Sequence, residues 1–165
     1  MRPRTRKKIV RLNRLDNNYG HKAVKNDSIN ELFLMTMLKV AAVGNIAFDI
    51  AIVHDIDVPA HVEPQACNVL ANFIDTAMNE LSFQHDGLLN IYAESRKRIL
   101  FTVSNTYRDL TEMILPYRTQ EIYTGVFGNL RKMKVLTPGI EVSNYINAYK
   151  FNEKEVLVQQ LFIDK

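Results

Sequence analysis

The sequence contains a single cysteine, Cys67, so it can form neither an intrachain disulfide nor a cysteine-rich zinc cluster. It contains no run of about 18 apolar residues, the length that a membrane-spanning helix requires. The basic start, MRPRTRKK, is not followed by the apolar segment of a secretory signal peptide. We therefore expect a cytoplasmic protein or the cytoplasmic domain of a membrane receptor.

Motifs of several enzyme classes are missing as well. The sequence has no G-x-S-x-G segment, no phosphate-binding Walker loop and no G-x-G-x-x-G segment. Cys67 has no histidine at helical spacing, which favours a buried structural thiol over a nucleophile. The residues His54, Asp55, Asp57 and His61 could bind a metal ion by their chemistry. Because His54 and Asp55 would point to opposite faces of a strand, we expect a solvated strand end there instead.

Apolar residues make up 47% of the 165 residues and charged residues 24%, which predicts one folded domain. The basic charge is concentrated in residues 1–14, which hold seven Lys or Arg and no acid, so the rest carries a net charge of about −4. Such an arm can bind nucleic acid or an anionic membrane surface, although a solvated tail explains the same charges. We interpret residues 1–27 as a partly disordered basic arm and linker, and residues 28–165 as the domain.

The first half of the domain has clear periodic patterns. Apolar residues at helical spacing predict a helix that Asp27 or Ser28 caps and that stops at Gly44. Alternating residues over 46–58 predict a strand. A wide apolar stripe predicts an amphipathic helix from about Pro64 to Phe83. Two strand-like runs then follow, 88–95 and 99–107, and the short basic turn between them indicates a hairpin.

The second half is less regular. Residues 108–137 have no sustained period and contain glycine and proline, which indicates a long, partly helical connection of the kind that often forms a lid. We predict a short helix over residues 139–149 and a final strand in EVLVQQLFID. This order of elements predicts an α/β two-layer sandwich in which a mixed, mostly antiparallel sheet packs on helices.

Two segments resemble a known family. The run from Asn72 to Ala77, NFIDTA, resembles the N box N-L-L-D-N-A of the GHKL superfamily. It is similar in particular to the form found in histidine kinases that act as peptide-pheromone receptors of the Agr and competence type. The run Val103-Ser104-Asn105-Thr106 resembles the V-x-N-[ST] segment that ends the second hairpin strand in that family. The likeness covers residues 28–163 and implies the Bergerat ATP-binding fold.

The resemblance implies a site for ATP and Mg²⁺ between the N-box helix, the sheet and a lid. It places Asn72 at the metal, Asp75 and Thr76 near the metal and phosphates, and Asn105 at the adenine amino group. Lys134 and Gly139 would belong to the lid, where glycine lets the backbone approach phosphate. Without the resemblance, the same residues are ordinary polar positions of a helix, a turn or a solvated surface.

Three positions depart from the family pattern. Thr76 replaces the second asparagine of the N box, the usual metal ligand, and a threonine hydroxyl is a poorer Mg²⁺ ligand. Glu141 replaces the second glycine of the H-G-x-G-L lid motif, where a carboxylate would repel a triphosphate. Thr137 replaces the histidine of that motif. His21 has the wrong neighbours for a phosphoacceptor, so we interpret it as a surface histidine.

We consider three hypotheses for the function. The first is the ATP-binding domain of a sensor histidine kinase in two-component, quorum-sensing signalling, with degenerate motifs. It would transfer the γ-phosphoryl group to a histidine of a separate dimerisation domain and act with a response regulator or a second copy of itself. The second is a non-catalytic interaction or dimerisation module that has kept the GHKL fold and lost ATP binding. The third is nucleic-acid binding through residues 1–14.

Overall fold

A computed structural model of the protein describes residues 24–53, 55–108 and 133–165, together with the backbone of residues 9–11 and 123–124. Two helices and eight strands lie in these ranges. In chain order they are β1 (Ile9–Arg11), α1 (Asp27–Val43), β2 (Ile46–Val53), α2 (Glu63–Leu81), β3 (Gly87–Ser95), β4 (Arg98–Thr106), β5 (Tyr123–Thr124), β6 (Met133–Thr137), β7 (Ile140–Ile146) and β8 (Val156–Asp164).

The strands form one mixed sheet in the order β1-β2-β3-β4-β8-β7-β5, and β6 pairs with β7. Strands β2 and β3 run parallel, as do β5 and β7, whereas the other neighbours pair antiparallel. A parallel pair needs a crossover connection, and α2 provides it between β2 and β3. The predicted α/β two-layer sandwich with a mixed, mostly antiparallel sheet is confirmed.

Both helices cover the same face of the sheet, which we call the inner face. Phe33 of α1 contacts Phe101 of β4 there, with ring centroids 6.2 Å apart. Ile99, Phe101 and Val103 alternate with half-buried residues along β4, so the odd-numbered positions of this strand point to the inner face. Residues paired across neighbouring strands share a face. The core therefore lies between this face and the two helices.

Helix α1 ends where the sequence predicts and begins differently. Gly44 follows it with a φ of 84°, a conformation that glycine adopts without strain, and its N–H bonds to Val40 O. At the other end, the N-cap is Asn26 and not Asp27 or Ser28. The Asn26 amide bonds to the backbone of Val58 and to Glu63, so it joins the start of α1 to the start of α2.

Two predictions for the second half are wrong. Residues Ile140–Ile146, expected in a short helix, form strand β7 between β6 and β8. Their alternation of buried Ile140 and Val142 with half-buried Glu141 has the period of a strand, and ladder pairing on both sides decides the conformation. Residues Met133–Thr137, expected in the connection, form β6. The rest of that connection falls mostly outside the described residues.

Several other sequence expectations fall partly within the described residues. Val24, placed in the linker, is buried and forms a bridge with Ile56. The backbone of Ile9–Arg11, placed in the arm, pairs with the edge of β2. His54 and His21 lie outside the described residues. Within the described ranges, no three His, Cys, Asp or Glu residues are grouped so that they could hold a metal ion. None of the helices in those ranges is long and apolar enough to cross a membrane.

Candidate functional site

The two flanks of α2 face different neighbours. Pro64 occupies its first turn, a position that needs no backbone N–H donor. Glu63 accepts a hydrogen bond from Ser28 Oγ in the first turn of α1. Gln65 instead contacts β6, where Thr137 Oγ1 donates to Gln65 Oε1 at 2.9 Å. A helix turns about 100° per residue, so positions 7 and 11 residues after Gln65 lie on the same side as Gln65. These positions are Asn72 and Thr76, which therefore face away from α1 and towards β6, β7 and β8.

The three N-box candidates differ in their environment. Asn72 is half-buried, and its Nδ2 donates to Asn68 O at 3.0 Å. Thr76 is buried, with 9% of its surface exposed. Asp75 is exposed to solvent. Asn72 and Thr76 thus lie on the same flank of α2, above the inner face of the sheet, whereas Asp75 lies on the solvent side of the helix.

Asn105 lies at the carboxyl end of β4 and is completely buried. It shares the inner face with Phe101 and Val103, so it is on the side of the sheet that α2 covers. Its Nδ2 donates to Thr106 O at 2.9 Å. Its Oδ1 is buried and finds no hydrogen-bond partner in the described part of the chain. This bond fixes the amide, and Oδ1 remains as an acceptor directed into the interior.

Gln159 of β8 is a second buried amide on the same face, and sequence reasoning missed it. It pairs with Val103 of β4 and is completely buried. Within the described ranges, neither its Oε1 nor its Nε2 has a hydrogen-bond partner. Asn105 pairs with Leu157 two residues earlier, so Gln159 and Asn105 are diagonal neighbours, with Cα atoms about 7–8 Å apart. We call Asn105 Oδ1, Gln159 Oε1 and Gln159 Nε2 the open amide atoms.

The sequence does contain a signal for Gln159. In β8 the inner positions are Leu157, Gln159, Leu161 and Ile163, so one amide interrupts an otherwise apolar row. An isolated polar residue at a core position calls for an explanation, because burying an unpaired amide costs about 1–3 kcal/mol. Directly opposite Gln159 in β7 stands Asn144, which is also buried. The polar part of the inner face therefore spans three adjacent strands.

A second polar group, next to Asn105, is fully paired. Thr106 Oγ1 accepts a hydrogen bond from Leu88 N at 3.0 Å and donates to Gln84 Oε1 at 2.7 Å. Gln84 Nε2 donates to Thr106 O at 2.9 Å. We call Thr106, Gln84 and Leu88 N the threonine network. It ties the segment after α2 to the adjoining ends of β3 and β4, and it holds the backbone on which Asn105 is mounted.

The residues that follow β4 are also held by polar contacts to the end of α2. Glu80 of α2 is 6% exposed and accepts a hydrogen bond from Arg108 N at 2.7 Å. The Arg108 guanidinium forms an ion pair with the same carboxylate at 3.2 Å and lies over the Phe83 ring, 4.5 Å from its centroid. The end of α2 and the residues that follow Asn105 are therefore held together by charge and by stacking.

The two lid candidates lie away from Asn105, Gly139 at the opposite end of the sheet and Lys134 on β6, beyond β8 and β7. Lys134 is exposed on β6, and Gly139 is in the turn between β6 and β7 with a φ of 87°. Asp164 N donates to Gly139 O, and Asp164 pairs with Arg98 at the start of β4. Asn105 is seven residues further along β4, which corresponds to about 24 Å at strand rise. The structure therefore brings Asn72, Thr76 and Asn105 to one side of the molecule and does not bring Lys134 or Gly139 to Asn105.

Glu141 is not placed where the lid comparison put it. It lies on the outer face of the sheet, opposite the face that carries Asn105, because its strand neighbours Ile140 and Val142 point inward. Its carboxylate lies 3.4 Å from Arg98 Nη1. This carboxylate is therefore paired and lies on the other side of the sheet from the inner-face polar groups, and its repulsion of a bound phosphate stays a prediction.

The residues fit the two parts of an ATP–Mg²⁺ complex unequally. Asn105 offers a buried acceptor of the kind that an adenine amino group needs. Mg²⁺ requires oxygen ligands in octahedral geometry together with several waters. The N-box helix offers the Asn72 amide on one flank, a buried Thr76 hydroxyl and an Asp75 carboxylate on the solvent side. This set fits a base better than a metal, and we derive no step through Mg²⁺.

Comparisons with known proteins give structural likeness only. No protein-family model matches the chain, and no curated protein matches it. The nucleotide-free catalytic domain of the histidine kinase ThkA superposes with a TM-score of 0.45 at 16% identity over 86% of this chain and 93% of that chain. A second nucleotide-free form of that domain gives 0.44 at 14% identity over 96% of each chain. Full-length ShkA in complex with AMPPNP gives 0.39 at 15% identity over 84% of this chain and 30% of that chain. Structural similarity at these scores does not indicate the function of this chain.

Proposed function

We propose that this chain is an adenine-nucleotide-binding domain related to the ATP-binding domains of sensor histidine kinases. The observation that carries the proposal is Asn105, a completely buried amide at the tip of β4 whose Oδ1 is one of the open amide atoms. Its position matches the adenine-contacting asparagine that the resemblance implies. The N-box residues Asn72 and Thr76 lie on the flank of α2 that faces the same side of the molecule.

Energetics support a ligand role for Asn105. Leaving a buried acceptor unpaired costs about 1–3 kcal/mol, and native proteins leave few such groups. Thr106 O already accepts a second hydrogen bond from Gln84, so the Asn105 Nδ2 bond is not needed to satisfy that carbonyl. A structural role alone would be served by leucine, which has the same number and branching of side-chain heavy atoms and no unpaired acceptor. A ligand that donates a hydrogen bond to Oδ1 removes the cost and explains the asparagine.

The proposal stops at binding. Phosphoryl transfer depends on metal ions and cationic groups that hold the phosphates in place. Gly139 lies at the end of the sheet opposite Asn105, Lys134 is exposed on β6, three strands away from β4, and Asp75 is exposed to solvent. We therefore assign these three residues no role at the base, and we keep Asn72 and Thr76 as the residues closest to the remainder of the nucleotide.

The finer features of the resemblance extend the proposal to partners. The N box and the V-x-N-[ST] run are of the type found in peptide-pheromone receptor kinases of the Agr and competence type. A kinase dimerisation domain, a response regulator and a second copy of the chain are the partners that this relationship favours. Mg·ATP is the cofactor it favours.

Thermal unfolding with and without nucleotide tests the proposal. A ligand that binds the native state stabilises it by about 2.7 kcal/mol at a concentration 100 times its Kd. We expect millimolar ADP, with Mg²⁺, to raise the melting temperature of the wild type. Asn105→Leu should abolish the increase without lowering the melting temperature of the free protein.

The matched control is Asn90→Leu, the same substitution on the outer face of β3. This variant should keep the response to ADP. No stabilisation of the wild type by ADP or ATP at millimolar concentration would contradict the proposal, as would an equal response in Asn105→Leu.

A non-catalytic module is the second candidate, and a specific observation favours it. Thr76 is buried, Gly139 lies at the far end of the sheet, and Lys134 is exposed on β6, so the described residues offer no assembled phosphate site. In that case the inner face would have kept its fold without a nucleotide. Stabilisation by ADP separates the two candidates, because the module predicts none.

A further inference from the structure

We propose that Gln159 is a second base-recognition residue and that it reads the edge of adenine together with Asn105. The inference rests on the proposed nucleotide function and adds to it a residue and a pattern of recognition. It starts from the open amide atoms, which are three buried polar atoms on diagonal neighbours of β4 and β8.

Two adjacent glutamines of β8 differ in the hydrogen-bond pairing of their side chains. Gln160 points to the outer face, where its Nε2 donates to Thr102 Oγ1 at 3.3 Å. Gln159 points to the inner face, and both polar atoms of its side chain lack a partner among the described residues. Both side chains are buried. Burial of the unpaired Gln159 amide therefore costs free energy that burial of Gln160 does not, and the Gln159 amide is available to a ligand.

The donors and acceptors among the open amide atoms complement those on the edge of adenine. The open amide atoms are two acceptors, Asn105 Oδ1 and Gln159 Oε1, and one donor, Gln159 Nε2. The adenine edge provides the complement: two N–H donors on its exocyclic amine and one acceptor at the ring nitrogen beside it. A glutamine amide forms this bidentate pair with adenine in nucleic-acid recognition, through the amine and N7. Asn105 Oδ1 can then accept the second amine hydrogen.

Guanine and hypoxanthine do not fit this pattern. Each has a carbonyl oxygen where adenine has the amine, so Asn105 Oδ1, whose amide is held by the bond from Nδ2 to Thr106 O, would face an acceptor. A site that pairs with a base amine rejects analogues without it, because its buried groups are then left unpaired. The arrangement therefore predicts preference for adenine over hypoxanthine nucleotides.

The test measures affinities of wild type, Gln159→Met and the control Gln160→Met by calorimetric titration. The ligands are ADP, inosine diphosphate, and the 1-deaza and 7-deaza analogues of ADP. Each hydrogen bond contributes about 0.5–1.5 kcal/mol, and every 1.4 kcal/mol is tenfold in affinity, so two lost bonds predict a loss of about 5- to 140-fold. Gln159→Met should show this loss for ADP, and Gln160→Met should bind ADP within about twofold of the wild type.

The deaza analogues distinguish recognition from structural support. One of the two should bind wild type about 2- to 12-fold more weakly than ADP, and that difference should disappear in Gln159→Met because the donor is already gone. A structural effect of Gln159→Met would weaken all ligands equally and lower the melting temperature of the free protein. We expect the melting temperature of free Gln159→Met to equal or exceed that of the wild type. The substitution replaces an amide that has no hydrogen-bond partner among the described residues by an apolar side chain of similar length.

Each result decides between the two claims. Weaker ADP binding by Gln159→Met, together with loss of the discrimination by one deaza analogue, supports the inference. If the wild type and Gln159→Met bind ADP and both analogues alike, Gln159 has no such role, although nucleotide binding itself stands. If the wild type binds none of these nucleotides, both the inference and the proposed function are wrong.

Discussion

Two groups of buried polar side chains lie next to each other at the end of β4, and they differ in how they are paired. In the threonine network, Thr106 and Gln84 have hydrogen-bond partners within the described chain, and the network joins α2 to β3 and β4. One residue earlier, Asn105 carries one of the open amide atoms, and Gln159 carries the other two. A paired network specifies structure, whereas buried amides with open positions indicate a place for a ligand.

The largest effect is expected from breaking the paired group. Thr106→Val removes the hydroxyl and leaves Leu88 N and Gln84 Oε1 without their partner. Each buried group left unpaired costs about 1–3 kcal/mol, so we predict a loss of about 2–4 kcal/mol in the free energy of unfolding. Urea denaturation measures this loss. Thr106→Ser, which keeps the hydroxyl, is the control, and a stable Thr106→Val variant would contradict the structural role of the network.

A smaller loss is expected from Glu80→Gln. The amide can still accept a hydrogen bond from Arg108 N, but the charge that pairs with the Arg108 guanidinium is lost. Hydrogen bonds to charged groups are worth more than neutral ones, and we predict a loss of about 1–2 kcal/mol in the free energy of unfolding. Denaturation of Glu80→Gln beside Glu31→Gln, an exposed glutamate of α1, measures it. Equal stability of the two variants would show that the pair contributes nothing.

The unpaired group should respond in the opposite direction. Combining Asn105→Leu with Gln159→Met replaces the open amide atoms by apolar groups, and we predict a gain of about 1 kcal/mol in the stability of the free protein. Loss of activity at a site with higher stability is the pattern expected of functional residues. A double variant that unfolds more easily than the wild type would mean that these amides have structural partners after all.

The smallest effect concerns the junction between α1 and α2. Hydrogen bonds from Ser28 and then from Asn26 hold the pKa of Glu63 below its usual value. The folded state therefore favours the ionised carboxylate, which adds stability above the unfolded-state pKa and loses it as the pH falls through the folded-state pKa. Glu63→Gln should lower the melting temperature at neutral pH, and its difference from the wild type should shrink as the pH falls below the usual range of a glutamate pKa. A difference that persists unchanged at acidic pH would contradict this account.

The sequence predicts the architecture of the first half well because its signals are local. Gly44 ends α1 through its left-handed conformation, and the apolar stripe of α2 is visible at helical spacing. The hairpin of β3 and β4 follows from alternation and a short turn. The sequence does not predict strand β7, because its pattern is short and its conformation depends on pairing with β6 across a two-residue turn and with β8 on its other side.

The site was harder to predict than the fold. Asn105 and Asn72 are proposed as site residues because they lie in recognisable motifs. The amide of Gln159 stands out in an apolar row of the sequence, but its position diagonal to Asn105 depends on the register between β4 and β8. The resemblance aligns Gly139 with a phosphate-binding lid motif, whereas the pairing of β6 with β7 makes it part of a hairpin turn at the other end of the sheet. Positions that depend on strand register are the ones sequence spacing cannot locate.

The most direct test is an NMR titration that follows the side-chain amide signals while ADP is added. Adenine binding at the inner face predicts that the NH₂ signals of Asn105 and Gln159 shift in step with nucleotide concentration. The signals of Gln160 and Asn90, which belong to the outer face, should stay in place. Unchanged Asn105 and Gln159 signals at saturating ADP, or shifts confined to the outer face, would contradict the account.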